Sequence, residues 1–364
     1  MKRVLIIAGG TGGHIFPALA VADQLKQQGY EIFWLGARYG LEAKLVPDHY
    51  PIEFIVVQGM RKRGFRAKLL TPVRLLRSMI QAGAVIKRLN PQIVLAMGGY
   101  VAAPGGFAAW MLRRPLVIHE QNAKAGLTNR LLAKIATVRL QAFEQAFHAS
   151  LAAETVGNPV RAEFFHLPQP EVRYAHRTGA IHVLILGGSQ GARAINQCMI
   201  QVWQSLSPAL LVKVWHQTGE ADYSTMQEAY AELTIAATVE PFIKKVAHAY
   251  AWADIVICRA GAMTVSELAA AGVASVLIPY PHAVDNHQFY NAKYLCDPRA
   301  GVLIEQKELS ARAILRLLEQ FFRDRQSLLL MAQSARRLAQ PEAAKKVAEI
   351  CMRCIQNDRS NNGC

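Results

Sequence analysis

The chain has few cysteines and no stretch typical of a secretion signal. Its 364 residues include only six cysteines, at irregular spacing, which suits a reducing compartment and argues against a disulfide framework. Only five apolar residues separate Lys2-Arg3 from the first glycines, too few for a signal peptide. The uncharged run over 89–112 is long enough to span a bilayer, but its two prolines and four glycines favour strand, loop and helix. We expect a soluble chain that can touch a membrane.

Common signatures of nucleotide and metal sites are also missing. The chain has no Gly-Lys-Ser/Thr, no Asp-x-Asp and no His/Cys cluster with metal spacing, so we predict no ATPase-type phosphate loop, no metal and no cofactor. The first glycine turn has Ile15 where a dinucleotide fingerprint has its third glycine. The second strand ends in Gly36-Ala37, without the acid that binds an adenosine ribose, which disfavours an NAD-dependent dehydrogenase.

Acidic residues are absent from 54 to 119, although the net charge of the whole chain is +15. Eleven basic residues fall in this segment: Arg61, Lys62, Arg63, Arg66, Lys68, Arg74, Arg77, Lys87, Arg88, Arg113 and Arg114. Such asymmetry indicates an anionic partner, either nucleic acid or a membrane surface. Because the block is mixed with aliphatic residues and matches no nucleic-acid recognition motif, we expect no nucleic acid. We expect the 61–88 region to meet an anionic membrane surface.

The helix predicted after Thr71-Pro72 supports that interpretation only in part. Its apolar residues share one face and its basic residues lie on another, and an ordinary surface helix packs such a stripe on its own core. The apolar residues are Leu75, Leu76, Met79, Ile80, Gly83 and Ile86. The preceding segment 61–66 and the nearby 110–114 combine apolar and basic residues, a composition typical of a monotopic membrane contact.

Three glycine-rich loops are the most informative feature that is present. They cover 9–14, 98–106 and 187–191, and each follows an apolar run typical of a buried strand. The first and third lead directly into a helix, whose N-terminus offers unpaired N–H groups to an anion. Two such copies in opposite halves predict a nucleotide-type ligand held in a cleft between two similar domains.

The strand–helix alternation predicts an α/β fold with two doubly wound parallel sheets. We predict the first domain over 1–158 and the second over 159–340, with helices at 16–28, about 106–112 and 265–271. The chain after Ser310 is predicted to be helical to about Gln356, with a break at Pro341.

Several polar residues follow predicted strands and are candidates for a functional role. His14 is a candidate general base because it follows a glycine turn and a neutral imidazole accepts a proton near pH 7. The run His119-Glu-Gln-Asn122 ends a strand where ligands gather, or forms a polar turn. The loop from His282 to Gln288 binds sugar hydroxyls or is merely exposed.

The segment Thr264-Val-Ser-Glu267 has two compatible interpretations. In one, Thr264 caps a helix and Glu267 folds back in a capping box. In the other, this helix start, preceded by Arg259 and Gly261, binds a diphosphate while Glu267 accepts from ribose hydroxyls.

Six motifs occur in the order of a known family. They are Gly9-Gly-Thr-Gly-Gly-His14, Met97-Gly-Gly-Tyr100, His119-Glu-Gln-Asn122, Gly157-Asn-Pro-Val-Arg161, Gly187-Gly-Ser-Gln-Gly191 and Arg259-x-Gly-Ala-x-Thr-Val-Ser-Glu267. Together they closely resemble the bacterial peptidoglycan N-acetylglucosaminyltransferases, which make lipid II, over nearly the whole chain. The resemblance implies a GT-B fold, two Rossmann-like domains facing a deep cleft, with a C-terminal helix at about 341–357 packing back on the first domain.

The resemblance also implies site residues. Thr11, Gly12 and Gly13 would lie against the donor and acceptor phosphates, Asn122 against the donor sugar, and Arg161 and Ser189 near the diphosphate. The Ile243 backbone would meet uracil, and Gln288 would bind sugar hydroxyls. Diphosphate and ribose would be bound by Ala262, Met263, Thr264, Val265, Ser266 and Glu267. We assign His14 and Glu267 to the catalytic group. The loop from His282 to Gln288 departs from the family pattern at His287, where a glutamine is expected.

The implied reaction is inverting transfer of N-acetylglucosamine from UDP-N-acetylglucosamine to the C4 hydroxyl of the muramoyl unit of lipid I. The resemblance places the protein peripherally on the cytoplasmic face of the bacterial inner membrane. The main alternatives are a UDP-N-acetylglucosamine 2-epimerase of the same fold, which would leave the basic surface unexplained, and a non-catalytic nucleotide-sugar or membrane scaffold, which would not require His14.

Overall fold

The chain divides into two compact units, Met1–Arg161 with Gln340–Cys364, and Ala162–Ala339. The computed structural model describes residues 2–57, 71–175, 177–188 and 191–361. Ser189 and the basic segment 61–66 therefore lie outside the described residues.

The first unit contains a seven-stranded parallel sheet. Its strands are β1 (Arg3–Ala8), β2 (Glu31–Ala37), β3 (Ile52–Ile55), β4 (Ile93–Gly98), β5 (Leu116–Glu120), β6 (Val138–Gln141) and β7 (Glu154–Thr155). They are ordered β3-β2-β1-β4-β5-β6-β7. The central strands are buried on both faces, as their almost wholly apolar sequences require. The order reverses between β1 and β4, and ligands of such sheets bind beyond the carboxyl ends of the strands at this point.

Helices cover both faces of this sheet. They are α1 (Gly12–Gln27), α2 (Glu42–Leu45), α3 (Thr71–Leu89), α4 (Ala102–Met111) and α5 (Leu127–Leu132). Successive β1 residues point to opposite faces of the sheet. Leu5 and Ile7 pack in one core with residues of α3 and α4, and Val4 and Ile6 pack in the other with α1.

Two helices of this unit begin earlier than predicted. Helix α1 starts at Gly12 rather than Phe16, because the carbonyl of Thr11 already accepts from the N–H groups of His14 (3.1 Å) and Ile15 (3.3 Å). Helix α4 starts at Ala102 rather than Gly106. Pro104 is tolerated there because the first turn of a helix leaves its N–H groups without helical partners. Both predictions treated helical glycines as loop.

The second unit repeats the architecture with six parallel strands. They are β8 (Ile181–Leu186), β9 (Val212–Gln217), β10 (Ala236–Glu240), β11 (Ile255–Cys258), β12 (Ala274–Leu277) and β13 (Gly301–Leu303). The order is β10-β9-β8-β11-β12-β13, so the reversal falls between β8 and β11. The predicted α/β fold with two doubly wound parallel sheets is confirmed.

The helices of the second unit alternate with these strands. They are α6 (Ala162–Phe165), α7 (Pro170–Tyr174), α8 (Arg193–Gln204), α9 (Tyr223–Ala231), α10 (Val246–Trp252), α11 (Ala262–Ala271), α12 (His287–Cys296), α13 (Ala311–Arg323) and α14 (Arg325–Arg337). The chain after Ser310 breaks at Asp324 as well as near Pro341. Asp324 ends α13, and its side chain accepts from the Ser327 N–H to cap α14.

The last helix, α15 (Ala343–Asn361), returns to the first unit. Its residues Val347, Ile350, Cys351 and Ile355 are buried in the same core as α1 and one face of the seven-stranded sheet. None of the described helices combines the length and apolar character needed to cross a bilayer.

Helix α3 buries only part of its apolar stripe. Ile86 packs in the core with Ala82, Val85 and Leu89, whereas the apolar side chains near the start of the helix are exposed. The exposed set is Val73, Leu75, Leu76 and Ile80 on α3, and Trp110 and Met111 on α4. The simple expectation that this stripe packs on its own core is therefore wrong for the first half of the helix.

Candidate active site

Two glycine loops meet at the carboxyl edge of the first sheet. Gly99 follows β4 with a φ of +84°, and a Cβ built on it would overlap the carbonyl oxygen of Gly9. The buried carboxylate of Glu42 supports the other loop, accepting from the N–H groups of Gly10 and Ala37, both at 3.2 Å. The backbone can adopt this close packing because residues 9 and 99 carry no side chain.

His14 lies in the first turn of α1, directly at this edge. Its half-buried ring packs on Gly98, where an added Cβ would be 2.7 Å from Nδ1. The same Nδ1 is 3.0 Å from Oε1 of Gln121, which follows β5. Residues that follow β1, β4 and β5 thus meet around one imidazole, at the point where the strand order of the sheet reverses.

The first turn of α1 is suited to an anion. Thr11 is the N-cap residue with extended backbone, and its exposed side chain makes no capping hydrogen bond. Gly12 and Gly13 follow and carry no side chain, and the first N–H groups of a helix have no partner within it. Phe16 lies beside Gly12, and the Arg161 guanidinium lies over the Phe16 ring, 5.2 Å from its centroid. A cation thus accompanies the helix N-terminus.

Asn122 is held at the same edge by its neighbour Glu120. The Glu120 Oε1 accepts from the Asn122 N–H at 2.9 Å and from its side-chain amide at 3.1 Å. The Glu120 Oε2 accepts from Gly126 and from the buried Asn129 side chain. This carboxylate is therefore the organising group of the loop, which gives Asn122 a fixed orientation.

In the second unit, Gln217 organises the loop after β8. Its Oε1 accepts from the Gly188 N–H at 3.1 Å, and its Nε2 donates to the carbonyls of Gly188 (2.9 Å) and Pro241 (3.0 Å). The side chain thus links the third glycine loop, at 187–191, to the segment that contains Ile243, which is buried.

Helix α11 begins beyond β11, at the reversal point of the second sheet. Its N-cap is Gly261, so Thr264 lies inside the first turn, and the capping-box interpretation is wrong. Ala262, Met263 and Val265 are buried. Thr264, Ser266 and Glu267 are half-buried, and the Ser266 hydroxyl donates to the Ala262 carbonyl at 3.0 Å.

Gln288 and Arg259 flank this helix start. The Oε1 of Gln288 accepts from the Tyr280 N–H at 2.9 Å, so its Nε2 is the group offered to an acceptor. Arg259 donates to the carbonyls of Ile278 (3.1 Å) and Pro279 (3.2 Å). The guanidinium therefore holds the loop on which Tyr280 lies.

Residues 4–140 match the N-terminal domain of glycosyltransferase family 28, and residues 182–349 match the C-terminal domain of the same family. The chain belongs to glycosyltransferase family 28.

Family 28 relatives are similar over almost the full length. The chain is 52% identical over 352 residues to the UDP-N-acetylglucosamine--N-acetylmuramyl-(pentapeptide) pyrophosphoryl-undecaprenol N-acetylglucosamine transferase of Coxiella burnetii, with 96% of this chain and 98% of the relative covered. It is 49% identical over 356 residues to the protein of that name from Aeromonas hydrophila, with 97% of each covered.

Solved structures agree on the fold. The crystal structure of Acinetobacter baumannii MurG superposes with a TM-score of 0.83 at 38% identity, covering 97% of this chain and 100% of that one. A UDP-GlcNAc 2-epimerase from Neisseria meningitidis superposes at 0.67 with 11% identity, covering 97% and 100%, and shares the fold alone. The predicted GT-B fold and glycosyltransferase class are confirmed.

The structure divides the predicted site residues of this family 28 chain between its two units. Thr11, Gly12, Gly13, His14, Asn122 and Arg161 lie in the first; Ile243, Ala262–Glu267 and Gln288 lie in the second. The sequence analysis assigned no individual role to Glu42, His119, Gln121 or Gln217, although His119 and Gln121 stand in the motif that ends at Asn122. Among the described residues, no group of three or more His, Cys, Asp or Glu could hold a metal ion.

Proposed function

We propose that the protein transfers N-acetylglucosamine from UDP-N-acetylglucosamine to the C4 hydroxyl of the muramoyl unit of lipid I, giving lipid II. The observation that carries this proposal is the near-full-length identity to relatives named for that transfer. The two anion-suited helix N-termini, one at each sheet reversal, support it because donor and acceptor both carry a diphosphate.

The proposed chemistry is a single displacement with inversion. His14 removes the proton of the acceptor hydroxyl as its oxygen bonds to the anomeric carbon. The bond from that carbon to the UDP oxygen breaks, and UDP leaves with its electron pair. The helix N-termini and Arg161 stabilise the charge that develops on the diphosphate, so no metal is required.

In this proposal the second unit holds the donor. The Ile243 backbone meets uracil, and the first turn of α11 meets the diphosphate through the N–H groups of Ala262, Met263 and Thr264. Glu267 accepts from the ribose hydroxyls, and Nε2 of Gln288 donates to the sugar. Ser189 is assigned to the diphosphate on its motif alone. The first unit, residues 1–158 with the helix at 341–357, serves the acceptor, and residues 159–340 the nucleotide sugar.

The direct test incubates the protein with sugar-labelled UDP-N-acetylglucosamine, with and without a lipid I analogue, in the presence of a chelator. We expect labelled lipid only when acceptor is present. UDP release without labelled lipid would instead indicate epimerase or hydrolytic chemistry. Intact donor binding with no turnover would indicate a scaffold.

We also propose that the protein binds peripherally to the cytoplasmic face of the inner membrane through the exposed start of α3. Arg74 and Arg77 are exposed there beside Leu76 and Ile80, which suits an anionic lipid surface. Helix α4 packs against α3 and adds the exposed Trp110.

Replacing Ile80 by glutamate should weaken binding to anionic vesicles by roughly tenfold or more. The change removes a side chain that is 65% exposed and adds a charge that anionic lipid repels, and inserting one such side chain contributes about 1.5–3 kcal/mol. The matched control is Leu330→Glu, an exposed apolar residue on α14 of the other unit. Vesicle co-sedimentation measures both, and equal binding by the two variants would contradict the proposed surface.

A further inference from the structure

We propose that Gln121 is a positioning residue that fixes His14 in the tautomer with the proton on Nδ1, leaving Nε2 as the atom that accepts the substrate proton. The catalytic meaning of this inference rests on the proposed function, but the tautomer itself does not. The inference follows from a chain of hydrogen bonds that runs from Met97 and Gly157 to His14.

The Met97 carbonyl decides which way the Gln121 amide faces. A carbonyl oxygen only accepts, so the Gln121 atom 2.8 Å from it is the amide nitrogen, Nε2. The other end of the amide, Oε1, then lies 3.0 Å from Nδ1 of His14. An amide oxygen has no proton to give, and therefore Nδ1 of His14 must be the donor.

His119 supports the same orientation from the other side. Its Nε2 is 3.0 Å from the Gly157 carbonyl and must donate to it, so its Nδ1 accepts from Gln121 Nε2 at 3.1 Å. Burial lowers the pKa of His119 to about 4, which keeps the ring neutral and this pattern intact near pH 7. Gln121 Nε2 thus faces acceptors only: the Met97 carbonyl, His119 Nδ1 and, at 3.4 Å, the His119 carbonyl.

Turning the amide over would be costly. Gln121 is 1% exposed and His119 is fully buried. A flipped amide would set its oxygen against the Met97 carbonyl and the His119 lone pair, neither of which can donate to it. A buried polar group without a partner is strongly unfavourable, so the orientation is fixed.

The orientation of Gln121 determines the protonation of the other ring nitrogen of His14, Nε2. Among the described residues no hydrogen bond reaches Nε2. In the Nδ1–H tautomer this atom carries a lone pair, as a general base requires; in the other tautomer it would carry a proton and could not accept one. Gln121 and His119 would thereby act on the reaction through His14 without touching substrate.

The test is ¹⁵N NMR of histidine-labelled protein. We expect His14 in the wild type to show a protonated Nδ1 and an unprotonated Nε2. Gln121→Met should populate the Nε2–H tautomer and lower kcat roughly 10–100-fold, with UDP affinity changed by less than about twofold; a wrong tautomer in a serine protease triad costs about 10⁴-fold.

Two further variants separate this role from general destabilisation. Gln121→Glu with a protonated carboxyl should retain the Nδ1–H signature, because the O–H can donate to the Met97 carbonyl while the other oxygen accepts from His14. Tyr50→Phe removes another hydrogen bond of the same unit, the one donated to Asp23 at 2.6 Å, and should leave the His14 signals unchanged.

A wild-type His14 with the proton on Nε2, or an unchanged tautomer in Gln121→Met, would overturn the inference even if transfer is confirmed. If the methionine variant fails to fold, the wild-type spectrum still decides the tautomer, and loss of the Nδ1 proton in Gln121→Glu would overturn the role of the residue 121 oxygen. Absence of transferase activity in the wild type would refute the proposed function and leave the tautomer result standing.

Discussion

Replacing His14 by alanine should lower kcat by about 10²–10⁴-fold, the usual contribution of one general base, while the Kd for UDP changes by less than about twofold. The loss falls on kcat because, in the proposed mechanism, the imidazole acts on the acceptor proton and the second unit holds the nucleotide. Single-turnover transfer to a lipid I analogue gives the rate, and calorimetry gives the UDP affinity.

The matched control for this variant is His148→Ala. His148 is also a histidine of the first unit, but it is exposed and, within the described part of the chain, its side chain bonds only to Ser150. Its removal should leave both quantities unchanged. A near-normal rate in His14→Ala would remove His14 from the mechanism, and an equal loss of UDP binding would indicate damage to the fold instead.

Replacing Gly99 by alanine should destabilise the first unit by more than about 3 kcal/mol and abolish transfer. Two costs combine: a positive φ, which costs a side chain roughly 1–2 kcal/mol, and overlap of the new Cβ with the Gly9 carbonyl, which forces the two glycine loops apart. Urea unfolding followed by circular dichroism measures the free energy of unfolding.

Gly29→Ala separates the two costs. Gly29 also has a positive φ, +80°, but nothing lies within 4 Å of a Cβ built on it. It should therefore show only the backbone cost of about 1–2 kcal/mol, with transfer intact. Similar losses for the two variants would mean that the contact between the loops contributes little.

The larger elements of the fold could be predicted from the sequence because their signals are local. Buried strands such as β4 are continuous apolar runs, and β8 is followed by glycines and a helix. Short strands at or near the sheet edges gave no such signal: β6 and β10 carry polar residues and were not predicted. Helix starts at Gly12 and Ala102 were missed because glycine and proline favour loops locally, and the tertiary context overrides them.

The candidate site could be predicted where a single residue and its neighbours in sequence indicate the chemistry. A histidine after a glycine turn predicts a base, so His14 could be proposed directly. The role of Gln121 could not, because it depends on a hydrogen bond to Met97 and on a buried His119. Gln217 likewise acts through Gly188 and Pro241, which come together only in the folded sheet.

The return of α15 to the first unit has a consequence for biosynthesis. On the ribosome, residues up to Arg161 emerge first, but the core face formed by α1 and the sheet is completed only by Val347, Cys351 and Ile355. That apolar face remains exposed to solvent while the whole second unit is translated. Exposed apolar surface in a nascent chain promotes aggregation. The second unit, continuous in sequence, can close first, so the unit that is translated first is the last to be finished.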